Sequence, residues 1–286
     1  MAKFDLPEVR NMEEHLEKEM AAIKYAAKEV LPDILLLDLT KVSAFLVGDP
    51  LKRDGWALVD TGPEEAADFI VETARERFGQ KSRPNAIILL HGHLAHAGAA
   101  MKLADFWNVP VYMHQLEMPY VTALVDYPTP DPAVDEVLSD KLSDPSNEGI
   151  NLSFHAVPLP LDRSVPGMPG WEWVHTPGHT IGHVSLFRPG DRTLISGDAF
   201  SSSREDTLFS FTSRKQRQTG DAGYATIDWN AARNSIRRLL DLKPSLAIPS
   251  HGKPLRGEEL SRRLETLLDQ MNGMVKPDPG LYADEP

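Results

Sequence analysis

The 286-residue chain has no cysteine. That excludes a disulfide framework, a thiolate zinc knuckle and a cysteine nucleophile, so any metal must sit on His, Asp or Glu. No apolar run approaches the roughly 18 residues needed to span a bilayer. The opening Met1-Ala-Lys-Phe-Asp-Leu-Pro also lacks the apolar stretch of a signal peptide. A soluble, cytoplasmic protein with no membrane partner is the expectation. Basic charge is scarce too, since 30 Lys and Arg against 42 Asp and Glu leave a net charge of −12. Proteins grip nucleic acids with cations that neutralise phosphates, so no nucleic-acid partner is expected. The short cluster Arg214-Lys215-Gln216-Arg217 reads as a solvated loop.

What is present is ordinary for a globular protein. The chain is 41% hydrophobic and 25% charged, which excludes the disordered and fibrous classes. Its length suits one large domain or two small ones and is ample for a buried core.

Residues 8–30, rich in Glu, Lys, Ala and Met and free of Gly and Pro, read as an exposed N-terminal helix that Pro32 stops, a possible homodimer contact. Short apolar runs at Ile34–Leu39, Ser43–Gly48 and Gly55–Asp60, separated by turn signals, predict an antiparallel meander. Glu64–Phe78 carries apolar residues at helical spacing. Ala86–Leu90 is a continuous apolar run, as in a strand buried on both faces, and delivers the chain into His91-Gly92-His93-Leu94-Ala95-His96. A helix over Ala97–Trp107 and a strand over Val109–Met113 follow.

The Pro-rich, weakly periodic stretch 114–170 is the candidate substrate cover. Trp171–His175, Val184–Arg188 and Thr193–Gly197 are strands at hairpin spacing, with Trp171 and Trp173 assigned to the core. A Ser- and Arg-rich loop at 199–224 leads to a helix at Asp228–Leu242, a strand at Leu246–Pro249 and a helix at Gly257–Met271. The organisation expected is thus a helical extension (1–30), one domain (31–275) with its cover at 114–170, and a mobile tail (276–286). Helices flanking two mixed sheets make an α/β sandwich the economical architecture.

The histidines carry the chemistry. Three of only ten fall within six residues, as His91-x-His93-x-x-His96. His179, Asp198 and His251 each begin a loop after an apparent strand, where rigid elements can hold ligands in place. Neutral imidazoles with a carboxylate suit zinc, and also iron or manganese. His183, four residues after His179, follows Gly182 and opens a strand, which favours a supporting hydrogen bond over ligation. His175 reads as a strand-end residue near the site, and His15, His114 and His155 have no partner in view. Tyr120, Tyr127 and Phe209 lie in the presumed cover segments and are candidates to line a pocket.

This order of residues resembles the metallo-β-lactamase superfamily, whose signature is His-x-His-x-Asp-His followed by His, a shared Asp and a final His. The resemblance runs from about residue 34 to 272 and includes Asp60-Thr61-Gly62. It implies a four-layer αββα sandwich with a one- or two-zinc site at one edge. His91, His93 and His179 would hold the first ion and His96 and His251 the second, with Asp198 bridging. Asp60 would be a supporting carboxylate. It further implies hydrolysis of a small-molecule ester, thioester or lactone by a metal-bound hydroxide, with Asp198 and the position of Ala95 in catalytic roles.

Ala95 departs from the pattern, because the family's Asp stands there. A methyl group can neither ligate nor orient water, so a weakened second site and impaired catalysis are expected. An engineered Asp-to-Ala replacement is the favoured origin and a natural departure the other. A ligand-binding or regulatory protein without catalysis is the competing function. Ser201–Ser203 where lactonases of homoserine lactones carry a tyrosine, and the acidic stretch 273–286 where a glutathione-binding tail would be basic, argue against two familiar substrates.

Overall fold

The computed structural model describes residues 25–52, 55–128, 150–202 and 226–274. Among these, seven strands form one sheet in chain order. They are β1 (Ala26–Leu31), β2 (Ile34–Asp38), β3 (Ser43–Val47), β4 (Ala57–Val59), β5 (Ala86–Ile88), β6 (Val111–Met113) and β7 (Ala156–Pro158). The first four pair antiparallel as a meander. From β4 onward the pairing is parallel, with α1 (Ala67–Phe78) crossing from β4 to β5 and α2 (Leu94–Ala97) and α3 (Ala100–Trp107) from β5 to β6. Downstream of β6 lies α4 (Met118–Val121).

The second sheet comprises β8 (Glu172–His175), β9 (Val184–Arg188), β10 (Thr193–Gly197), β11 (Leu246–Pro249) and β12 (Leu255–Arg256), ordered β12-β11-β10-β9-β8. Helices α5 (Trp229–Asp241) and α6 (Gly257–Met274) complete the described chain.

Strand alternation explains why the central runs are apolar throughout. Phe45, Val59, Ile88, Val184, Leu186, Ile195 and Ile248 fill the space between the two sheets, together with Trp171 and part of Trp173. Their neighbours Leu46, Leu58 and Ile87 face α1 and α3, where Ile70, Leu103 and Trp107 pack. On the far side, Leu194 and Ala247 face Ile236, Leu239, Leu260 and Leu264 of α5 and α6. A strand covered on both faces has no solvent side. Four layers, α/β/β/α, result, and the expected sandwich is what the chain builds.

Two expectations need correction. Residues 26–31 are a strand: Ala26 pairs with Asp38 and Leu31 with Ile34 across a tight reversal at Pro32-Asp33. Ala, Lys and Glu favour a helix locally, but hairpin pairing with β2 overrides so weak a preference; the remainder of the expected N-terminal helix lies outside the described residues. Much of the described part of 114–170 is core and not cover. Val121, Tyr127, Ile150, Leu152, Leu159, Val165 and Met168 are buried, and β7 is the last strand of the first sheet. Prolines break its periodicity without keeping it off the core. Residues 129–149 of that stretch, most of the loop at 199–224, Phe209, His15 and the tail from Lys276 lie outside the described residues.

Candidate metal centre

The loops that follow the strands gather at one edge of the sandwich. Asp60 directly follows β4, and its backbone is left-handed, with φ 54°. A non-glycine residue in that region is uncommon and is held there by its surroundings. The Asp60 carboxylate is fully buried; it accepts from the Leu90 amide at 2.9 Å through Oδ1 and meets His96 Nδ1 at 3.2 Å through Oδ2. The carbonyl of His96 accepts from the Thr61 amide and hydroxyl, both at 2.8 Å. His96 is therefore fixed at both its ring and its backbone.

The second sheet supplies the other half. The His179 loop is tied to the start of α5, because the amides of Ile227 and Asp228 donate to the Gly178 carbonyl at 2.8 and 3.0 Å. Asp198 follows β10, and its amide donates to His183 Nε2 at 2.9 Å. The other ring nitrogen of His183 meets the Thr176 hydroxyl and carbonyl at 2.9 and 3.1 Å. His183 is thus engaged at both nitrogens, holding the Asp198 backbone. His251 follows β11, with its carbonyl accepting from the Ser202 amide at 3.1 Å.

Five imidazoles and one carboxylate converge. His179 Nε2 lies 3.0 Å from His93 Nδ1, 3.2 Å from His91 Nε2 and 3.4 Å from Asp198 Oδ2. Asp198 Oδ2 is also 3.4 Å from His96 Nε2 and 3.2 Å from His251 Nε2. A neutral imidazole carries one N–H, which can satisfy one such neighbour. Four ligands bonded to zinc at about 2.0–2.1 Å stand about 3.3–3.4 Å apart, close to these separations. Among the described residues, His96 Nε2 and Asp198 Oδ1 are moreover buried without a hydrogen-bond partner. Among the described residues, two groups of ligating atoms lie within 4.8 Å of one another: His91, His93 and His179, and His91, His96 and Asp198. The donor set fits a divalent ion.

The electrostatics suit an ion on His91, His93 and His179. Burial is the main cause holding His93 and His183 down at about 4, and His91 and His179 well below the ordinary histidine value. Neutral imidazoles are what a metal requires. His96 runs the other way: burial opposes its charge, yet Asp198 and Asp60 lift it to about 10. Burial likewise opposes ionisation of Asp198, but His96 and His251 outweigh it and hold the carboxyl well below its usual range.

Ala95 is exposed, between His93 and His96 in the chain. Tyr120 and Tyr127, expected to line a pocket, are buried and stack on each other with centroids 4.1 Å apart. The Tyr127 hydroxyl is taken up by Glu117 and the Gly92 amide. His114 has a partner after all, stacking on His175 at 4.4 Å, and His155 meets Asp105 at 2.8 Å. Glu117 was not anticipated. It is fully buried and bonded to both histidine loops; the signal for it was an acid one turn past an apolar strand, in Leu116-Glu117-Met118.

Among the described residues no helix is long and apolar enough to cross a membrane. The family model described as the metallo-beta-lactamase superfamily matches residues 37–251. The probable metallo-hydrolase YflN of Bacillus subtilis (strain 168) is 37% identical over 233 residues, covering 81% of this chain and 88% of its own length. The metallo-beta-lactamase FIM-1 of Pseudomonas aeruginosa, solved in its mono-zinc form, superposes with a TM-score of 0.59 at 14% identity over 87% of this chain and 96% of that one. The chemotaxis sensor ODP, solved as a peroxy diiron species, does so with 0.56 at 16% identity, over 86% and 94%. At these identities the structural likeness concerns the fold.

Proposed function

Because the chain belongs to the metallo-beta-lactamase superfamily and is a metal-dependent hydrolase, we propose that it hydrolyses a small ester, thioester or lactone on an ion held by His91, His93 and His179. The observation that carries this reading is the convergence of three neutral imidazole nitrogens at 3.0 and 3.2 Å, with a carboxylate oxygen at 3.4 Å. Asp198, His96 and His251 form a second, weaker position, since Ala95 brings no oxygen to it.

When bound, zinc acts as a Lewis acid and lowers the pKa of water from 15.7 to about 7; the mono-zinc and diiron forms of the fold neighbours leave iron open alongside zinc. The residues of this chain do the rest. His91, His93 and His179 stay unprotonated through burial and present their lone pairs. Asp60 holds His96, and His183 holds the backbone of Asp198. Leu94 and Ala95, both exposed and next to His93 in the chain, add apolar surface that suits a small, partly apolar substrate. No residue at position 95 accepts a hydrogen bond from water, so turnover is slow. A small-molecule enzyme of the cytoplasm, with no nucleic-acid or membrane partner, fits the acidic chain.

Elemental analysis after purification without chelators should find at least one zinc, iron or manganese ion per chain. Hydrolysis across an ester, thioester and lactone panel should disappear with a chelator. A protein that stays metal-free and hydrolyses nothing, even after Ala95→Asp, would instead be the non-catalytic binding protein.

A further inference from the structure

Glu117 is not in the ligand set, yet it accepts four hydrogen bonds. Its side chain is completely buried, and each oxygen serves a different loop. Oε2 accepts from the Gly92 amide at 2.9 Å, between His91 and His93, and from the Tyr127 hydroxyl. Oε1 accepts from the Thr180 hydroxyl at 2.7 Å and the Gly182 amide at 2.8 Å, immediately after His179. Those four donors are neutral. A buried carboxylate without a cation is costly unless its oxygens are filled by hydrogen bonds, and an apolar residue would suit a position that only needed packing.

The surroundings are shaped around this group. A Cβ at Gly182 would come within 2.8 Å of Glu117, and one at Gly92 would meet Val121 and Tyr127. Tyr127, bonded to both Glu117 and the Gly92 amide, lays its ring against that of His93 with centroids 4.6 Å apart.

We propose that Glu117 is a positioning residue for the metal: its carboxylate clamps the His91–His93 loop of the first sheet to the His179 loop of the second, and through Tyr127 it sets the ring of His93. The inference rests on the reading that His91, His93 and His179 hold the ion. Residues that orient ligands act through preorganisation, and their loss costs about 10- to 100-fold in metal affinity. Glu117→Gln keeps the shape but turns one acceptor into a donor, so one loop loses its tether.

Cobalt(II) titration of the full chain tests this, with affinity from competition against a chromophoric chelator and visible absorption reporting ligand geometry. Wild-type protein should bind tightly. Glu117→Gln should bind about 10- to 100-fold more weakly, with a shifted spectrum, and Tyr127→Phe should show a smaller change in the same direction. Leu264→Val, on the core face of α6 and outside the ligand loops, should lower thermal stability while leaving cobalt affinity and spectrum alone. Wild-type affinity and spectrum in Glu117→Gln overturn the clamp; should that variant fail to fold, the same result in Tyr127→Phe overturns it. Failure of the wild type itself to bind cobalt overturns the ligand assignment underneath, a separate outcome.

Discussion

At position 95 a methyl group stands exposed beside a site whose other groups are buried or half-buried. Filling it with a carboxylate disturbs no packing, because the side chain faces solvent. Ala95→Asp should therefore fold normally, bind a second ion more tightly and raise hydrolysis by about 10²-fold or more, the usual contribution of a positioned acid–base group. Steady-state kinetics and metal stoichiometry on the pair of proteins check both effects.

A second residue-scale prediction concerns His114, away from the ligands. Burial, and then the neighbouring His175, hold its pKa down at about 4. The unfolded chain, with histidine near 6.5, binds a proton in this window that the folded chain does not. Linkage then requires stability to rise with pH through it. The melting temperature should fall as pH drops from about 6.5 towards 4, and His114→Gln should flatten that slope. The candidate ligand histidines stood out in the sequence because three of them lie within six residues. Glu117 was not, since it works on Gly92 and Gly182 across 25 and 65 positions.

At the scale of elements, α5 is the clearest case of local chemistry serving the site. Asp228 caps it by accepting from the Ala231 amide at 2.9 Å. Asp228→Ala should cost about 1 kcal/mol. For a domain of this size that lowers the melting temperature by about 2–4 °C, measurable by calorimetry. The helices and central strands were readable because their spacing or unbroken apolarity follows from what covers them. β1 was not, because its composition favours a helix and only long-range pairing with β2 decides otherwise. The core segments within 114–170 were hidden for a related reason: Ile150 and Leu152 are buried by neighbours that no local pattern names.

For the molecule as a whole, the candidate ligands are divided between the two sheets, with His91, His93 and His96 following β5 and His179, Asp198 and His251 following strands of the second. An ion that binds only the folded state stabilises it by about 2.7 kcal/mol at a concentration 100 times its Kd. Zinc should raise the melting temperature, and a chelator should reverse the gain. Phe45→Ala, in the inter-sheet core, should cost about 3–5 kcal/mol and weaken zinc binding as well, by loosening the alignment of the two halves.

The left-handed backbone at Asp60 carries the same dependence into the life of the chain. That conformation is held by partners from elsewhere in the fold, the Leu90 amide and the ring of His96. A nascent chain therefore has no ready-made cradle for an ion as it emerges. Loading belongs to the finished protein, and the fraction of molecules carrying metal becomes a gauge of how many have matured correctly.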